Sequence, residues 1–175
     1  MSEKIVMSST EISRALSRIA TQIIEANRGV KNVVIVGILE RGGPLAERLA
    51  ELIGNIEKTD VPVGTIDVSL YRDDLAKKGK EIKVRKSDMP FSIDDKIVVL
   101  VDDVIYAGRT VRAAMDSLND YGRPSKIQLA VLVDRGHRQL PINPDFVGKQ
   151  VPTSADEDVV VNIEEIDGDD KVVLR

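Results

Sequence analysis

Residues Val98 to Thr110 read VVLVDDVIYAGRT, and the fold turns on this stretch. The apolar run Lys96 to Val101 has no polar alternation, which predicts a strand buried on both faces of a parallel sheet. Two adjacent carboxylates follow, Asp102 and Asp103. Then Ala107-Gly108-Arg109-Thr110 opens a segment of helical periodicity, Val111 to Tyr121, which Gly122 closes with Pro124 just beyond. The residues from Asp102 to Thr110 are therefore expected to form the loop between strand and helix. Carboxylates only accept hydrogen bonds, which suits the two vicinal hydroxyls of a ribose. A glycine at a helix start lets backbone N–H groups converge on a phosphate, the helix dipole favours its charge, and the Thr110 hydroxyl adds a donor. The acid pair alone suits a magnesium ligand or a phosphoacceptor equally well, so the string is informative only as a whole.

Working outward, the same unit occurs once before. VVIVGI (Val33 to Ile38) reads as a buried strand, Glu40-Arg41-Gly42-Gly43 as a loop, and Pro44 to Ile53 as a helix. Ahead of it, Ser8 and Glu11 stand at capping-box spacing. Ile12, Leu16, Ile19 and Ile23 then mark an amphipathic helix that stops at Asn27-Arg28-Gly29. Between the two units, Val63 to Tyr71 alternates as a strand, and polar Arg72 to Lys86 predicts an exposed hairpin or loop. Lys126 to Val133 is a third buried strand. From Asp134 onward we expect an irregular cap over the same sheet edge, finished by an edge strand near Val159 to Ile166. Alternating strands and helices imply an α/β fold: a mostly parallel central sheet, helices on both faces, and ligands outside the carboxyl ends of the strands.

Length and composition narrow the class. A chain of 175 residues with 42% hydrophobic content predicts one domain over 1–175, with a hood at about 134–175 joined by the N-terminal segment and an exposed stretch at 71–87. No cysteine and a single histidine argue against disulfides and a zinc site, and fit a cytoplasmic setting. No window approaches the roughly 20 apolar residues of a membrane span, so no membrane partner is expected. A net charge of −4 argues against wholesale coating of nucleic acid but permits a local basic face.

Taken whole, the string from Val98 to Thr110 resembles the signature of the type I phosphoribosyltransferases. The likeness extends through LYRDDL (Leu70 to Leu75), GRPSKIQLAVLVDRGHRQLPI (Gly122 to Ile142) and DFVGKQVPTS (Asp145 to Ser154). These segments resemble the branch made up of bacterial pyrimidine-operon regulatory proteins that double as uracil phosphoribosyltransferases. The resemblance implies a type I phosphoribosyltransferase fold and a site for phosphoribosyl pyrophosphate (PRPP) or UMP. By that likeness the site takes in Glu40, Arg41 and Gly42 in the pyrophosphate loop and Arg72 as a lid. It continues through Asp102, Asp103, Val104, Ile105, Tyr106, Ala107, Gly108, Arg109 and Thr110. Catalysis falls to Asp102, Asp103 and Arg41, with either carboxylate open as general base. Mg²⁺ is implied as a cofactor bound with PRPP, held through the ligand rather than by a protein site alone.

The likeness also implies a uracil site under a hood carrying Arg135, His137 and Val159, and homodimers or homotetramers to which the aliphatic first helix is suited. The partners implied are PRPP, uracil, UMP or UTP, and the leader of pyrimidine-gene mRNA, whose binding attenuates transcription. Arg18, His137, Arg138 and Lys149 are the basic candidates for RNA. Thr21, Ala26, Leu39 and Asn143 stand where RNA-binding members tend to be basic or hydrogen-bonding. Two departures touch the nucleotide site. Ala107 replaces the usual Thr, removing a hydroxyl donor at about 1 kcal/mol. Glu40 stands in Leu39-Glu40-Arg41-Gly42 where Lys-Thr-Arg-Gly is typical, so a carboxylate adjoins the pyrophosphate and predicts weakened catalysis. Two alternatives follow: a nucleotide-sensing RNA-binding regulator with vestigial catalysis, and an enzyme that has lost RNA binding.

Overall fold

A computed structural model describes residues 2–69 and 86–175. Its centre is a five-stranded sheet of β2 (Val33–Ile38), β3 (Val63–Ile66), β4 (Ile97–Ile105), β5 (Lys126–Asp134) and β6 (Phe146–Gln150). The spatial order is β3-β2-β4-β5-β6, and every neighbouring pair is parallel. Helices α1 (Ser9–Asn27) and α2 (Gly42–Glu57) share one hydrophobic cluster with one face of the sheet. Helix α3 (Arg109–Leu118) packs into the cluster on the other. The carboxyl ends of β2, β4 and β5 therefore open on one edge, as parallel strands with crossover helices require.

Local chemistry accounts for the main elements. All six residues of β2 are buried, which is why its sequence is continuously apolar. The capping box of α1 forms, with Glu11 N–H donating to Ser8 Oγ at 3.2 Å and Ser8 N–H to Glu11 Oε2 at 2.7 Å. Arg28, in the left-handed conformation, closes the helix. Ile12, Leu16, Ile19, Ala20 and Ile23 are buried within the chain's own core, against α2 and the β5–β6 side of the sheet. The aliphatic stripe that the sequence reading held compatible with a subunit interface is thus covered within the chain itself.

The boundaries differ in ways that matter for the site. Strand β4 continues through the acids to Ile105, since β5 keeps pairing with it from Asp102↔Val131 to Ile105↔Asp134. Asp102 and Asp103 thus sit on a strand end, not in a loop. Helix α2 begins earlier and ends later than Pro44 to Ile53. Of the expected strand Val63 to Tyr71, β3 keeps four residues. Beyond it the Asp67 carboxylate accepts from Ser69 N–H at 2.9 Å, a local bond that turns the chain out of the ladder. The strand's expected end at Tyr71, the LYRDDL segment and Arg72 lie outside the described residues.

The C-terminal region is more regular than its sequence suggests. Phe146–Gln150 is the fifth strand of the central sheet, inconspicuous because only Phe146 is buried and Gly148 interrupts it. A Cβ on Gly148 would overlap the Leu132 carbonyl, so close packing on β5 demands the glycine. The hood is a three-stranded antiparallel sheet, β1 (Lys4–Met7), β8 (Lys171–Leu174) and β7 (Val159–Asn162), in the order β1-β8-β7. A single turn of helix, α4 (Glu164–Asp167), joins β7 to β8. Val161, Ile163 and Val172 of this hood are buried in the α1–α2 cluster, which fixes it over the sheet edge.

Candidate functional site

At the tip of β4 the Asp102 and Asp103 side chains are 1% and 9% exposed. Asp102 Oδ1 accepts from Asp103 N–H and Asp103 Oδ1 from Val104 N–H, each at 2.8 Å, so the backbone itself orients both carboxylates. Beyond them Ile105 is buried in the α3-side core and Val104 packs on the opposite cluster. Of the predicted loop residues, these two offer a ligand only their backbone.

The turn from β4 to α3 is held from one side by residues 135–140. The carbonyl of Ile105 accepts from Arg135 N–H at 3.2 Å, and that of Ala107 from Gln139 and Leu140 N–H at 3.0 and 3.2 Å. Arg138 Nη1 donates to the Tyr106 carbonyl at 2.9 Å. These bonds fix the carbonyls of Ile105, Tyr106 and Ala107 to the segment that follows β5. Gly108 takes the N-cap position at φ 98°, where a side chain would be strained, and supplies no side-chain cap to the first turn. The first-turn N–H groups and the Thr110 hydroxyl are thereby left for an anion. Arg109 instead reaches Gln139 Oε1 at 2.8 Å.

The loop after β2 lies beside these acids because glycines permit it. A Cβ on Gly42 would overlap the Val101 carbonyl and lie 3.4 Å from Asp102 Cα, and one on Gly37 would overlap the Gly42 carbonyl. Arg41, at the N-cap of α2, forms a two-pronged ion pair with the hood residue Asp167: Nε to Oδ2 at 3.1 Å and Nη2 to Oδ1 at 2.8 Å. Burial pulls the Arg41 pKa down, but the Asp167 hydrogen bond and the charges of Asp167, Asp103 and Glu40 outweigh it and raise the pKa. Burial likewise pushes Asp167 up, and the bonds from Arg41 and Ile163 N–H more than reverse this, leaving its pKa lowered.

The hood residues predicted from sequence meet around Tyr106. Arg135, 7% exposed, places its guanidinium carbon 4.5 Å from the Tyr106 ring centroid. Its nitrogens donate to Thr153 Oγ1 at 3.3 Å, the Glu157 carbonyl at 2.5 Å and Asp158 Oδ1 at 3.4 Å. The His137 ring lies 5.8 Å from that of Tyr106, and its Nε2 is 2.6 Å from the Thr153 carbonyl. Val159 opens β7, half-buried against the α1–α2 cluster.

The basic candidates for RNA do not form one open face. Arg138 directs Nε, Nη1 and Nη2 to Ile142 O, Tyr106 O and Asp134 Oδ2, so it braces the loop. Arg18 donates to the Gly148 carbonyl at the edge of β6, and Lys149 Nζ to the Val6 carbonyl at 2.8 Å, although both remain exposed. Sequence reasoning missed Asp167 and the neighbouring clamp, in which Arg48 bonds Glu165 and Asp170. The signal was the acid-rich NIEEIDGDD, but nothing in it names Arg41 or Arg48 as partner.

Asp102 and Asp103 are a donor pair suited to a divalent cation that keeps most of its ligands from substrate and water. Taken together, the strand-tip carboxylates, helix-start N–H groups and a flanking arginine offer acceptors for a sugar and donors for two separate anionic groups.

The chain matches the phosphoribosyl transferase domain family over residues 5–165. It is 58% identical over 172 residues to the bifunctional protein PyrR of Chloroflexus aurantiacus, covering 98% of this chain and 94% of that one. To the bifunctional protein PyrR of Thermus thermophilus it is 56% identical, with 97% and 93% covered. Among solved structures, a hypoxanthine-guanine phosphoribosyltransferase of Bacillus anthracis superposes with a TM-score of 0.73 at 23% identity, over 99% of this chain and 98% of that one. At that identity the likeness speaks for the fold.

Proposed function

We propose, from the premise that this chain belongs to the phosphoribosyltransferase family, that it converts uracil and PRPP to UMP and pyrophosphate. The same uridine-nucleotide site makes it a regulator of pyrimidine-biosynthesis genes, acting through the mRNA leader. The observation that carries this reading is the convergence, at the carboxyl ends of β2 and β4, of Arg41, Asp102, Asp103 and the Gly108-capped start of α3.

Each part takes one portion of the substrate. The 5′-phosphate is held by the N–H groups of α3 and the Thr110 hydroxyl, the ribose hydroxyls by Asp102 and Asp103, and the pyrophosphate by Arg41. Arg72 is assigned as lid by the family likeness alone. When the bond from C1′ to the pyrophosphate oxygen breaks, positive charge develops on the ribose, and the two fixed carboxylates stabilise it without reorganising. The uracil N1 forms the new bond and its proton passes to one of the carboxylates. Asp103, the more exposed of the two and the one whose charge acts on Arg41, is the better placed. Mg²⁺ entering with PRPP would be held beside Asp102 and Asp103 and would supply charge neutralisation for the departing pyrophosphate. Arg135 and His137, packed around Tyr106, frame the uracil site beneath the hood, and Val159 is assigned to it by the family likeness alone. We assign the protein to the cytoplasm as a one-domain homo-oligomer.

A second reading, a nucleotide-sensing regulator with vestigial catalysis, is favoured by Glu40, whose negative charge acts on the arginine that pyrophosphate requires. A radiolabelled uracil assay with PRPP and Mg²⁺ separates the two, with guanine and hypoxanthine run in parallel and Glu40→Thr as comparison. UMP formation without purine products supports the enzyme. Retained UMP binding with no turnover in the native chain and recovery in Glu40→Thr selects the sensor.

A further inference from the structure

We propose that Asp167, in the hood, is a positioning residue for Arg41 and thereby sets the affinity of the site for the pyrophosphate portion of its substrate. The inference rests on the reading of Arg41 as the pyrophosphate clamp.

The geometry carries it in three steps. First, Asp167 is itself immobilised, because its Oδ2 accepts from Ile163 N–H at 2.8 Å as well as from Arg41 Nε. Second, the pair engages the Nε and Nη2 edge of the guanidinium. A guanidinium has five N–H donors, so Nη1 and the far side of Nη2 remain for a second anion. The side chain is fixed in direction without being used up. Third, the next residue, Gly42, packs so closely on β4 that a Cβ there would lie 3.4 Å from Asp102 Cα, so the Arg41 side chain bonded to Asp167 spans from the tip of β4 to the hood. An arginine at a helix N-cap that makes no capping bond has many rotamers open to it, and ordering it in advance strengthens binding of the ligand it meets.

The neighbouring contacts support the same seating. Arg48, seven residues along α2, holds Glu165 and Asp170 on either side of the turn that bears Asp167, with bonds of 2.8 Å from Nε and from Nη1. Asp170 Oδ1 in turn accepts from Glu164 N–H at 2.7 Å. The turn is therefore clamped on α2 whether or not Asp167 contributes, and loss of the Asp167 charge alone leaves the hood in place.

The test uses the full chain with Asp167→Asn, which keeps the side-chain shape and removes the charge. Dissociation constants for PRPP and for UMP are measured together, since UMP lacks the pyrophosphate. We expect PRPP affinity to fall about tenfold, UMP affinity to stay within about twofold, and KM for PRPP to rise more than kcat falls. In an Arg41→Ala background the same substitution is expected to change neither constant. Equal losses for both ligands, tighter PRPP binding, or an undiminished effect without Arg41 each overturn the proposal. Should Asp167→Asn fail to fold, Asp167→Glu, which keeps the charge but displaces the fork by one methylene, is expected to give a smaller loss confined to PRPP. A native chain that binds UMP but whose PRPP affinity is indifferent to Arg41→Ala overturns the clamp itself. A normal Arg41 effect with no Asp167 effect overturns only this inference.

Discussion

The guanidinium of Arg135 lies over the ring of Tyr106, 4.5 Å from its centroid, while its nitrogens hold the hood strip at Thr153, Glu157 and Asp158. One buried side chain thus joins the β4–α3 turn to the hood. Truncating Arg135→Ala leaves the half-buried Glu157 carbonyl and the Thr153 hydroxyl short of a donor, at a cost of about 1–2 kcal/mol. A double-mutant cycle with Tyr106→Leu, read by urea unfolding, is expected to show a coupling of about 1 kcal/mol from the stacked pair. Strict additivity would mean the contact contributes nothing and that Arg135 acts through the hood strip alone.

Gly108 tests the β4–α3 turn by itself. A Cβ there would meet Ile142, Leu140 and Arg138 at ordinary contact distances of 3.6–3.7 Å, so Gly108→Ala is penalised by its backbone conformation and not by a clash. The strain is about 1 kcal/mol. Since relaxing the turn moves the N–H groups proposed to hold the 5′-phosphate, UMP affinity is expected to fall more than stability does. Calorimetric titration with UMP beside a thermal melt checks this, and a stability loss with unaltered UMP affinity would place the phosphate elsewhere.

How much of this was legible in the sequence depends on where each element's partners lie. Strand β2 and the capping box of α1 were readable because burial on both faces and a three-residue side-chain exchange are local signals. The end of β4 was not, because Asp102 and Asp103 look like loop residues until β5 is known to pair with them. Strand β6 was hidden for the same reason, its identity lying in the Leu132 carbonyl that Gly148 accommodates. Within the site, the β4–α3 string carried its own chemistry. The use of Asp167 by Arg41 and of Asp134 by Arg138 depended on contacts between distant segments or on a turn whose shape the residues do not announce.

The clamp of Arg48 on Glu165 and Asp170 makes hood docking sensitive to acid. The Arg48 bonds, opposed by burial and aided by backbone N–H bonds and then by the Arg48 charge, hold Glu165 and Asp170 below their ordinary values of 4.5 and 3.8. A carboxylate whose folded pKa is depressed contributes stability above its unfolded value and loses it as pH falls through the folded one. The contribution is thus complete above about pH 5 and declines below about pH 4. Glu165 is nearly half exposed, so solvent screening reduces its share. Thermal melts between about pH 3 and 6 are expected to show a shallower acid decline in Arg48→Gln than in the native chain. Parallel curves would show that the clamp has no net linkage to folding.

Arg138 and Lys149 were both candidates for leader RNA, and their surroundings now separate them. Arg138 is 18% exposed and directs Nε, Nη1 and Nη2 inward, to Ile142 O at 2.7 Å, Tyr106 O at 2.9 Å and Asp134 Oδ2 at 2.8 Å. Arg138→Gln abandons the Asp134 carboxylate and loosens the β4–α3 turn, at about 2–3 kcal/mol of stability. Lys149 is exposed at the edge of β6, and its single bond to Val6 O leaves two ammonium donors for a phosphate. Each phosphate neutralised on a single strand changes the slope of log K against log salt by about 0.7. In filter binding of leader RNA with UMP present, Lys149→Gln is therefore expected to make the slope shallower by about that amount while leaving the melting temperature unchanged. Arg138→Gln should do the reverse, lowering the melting temperature and UMP affinity with the slope preserved. A slope change in Arg138→Gln at unaltered stability would mean that its inward bonds open to RNA.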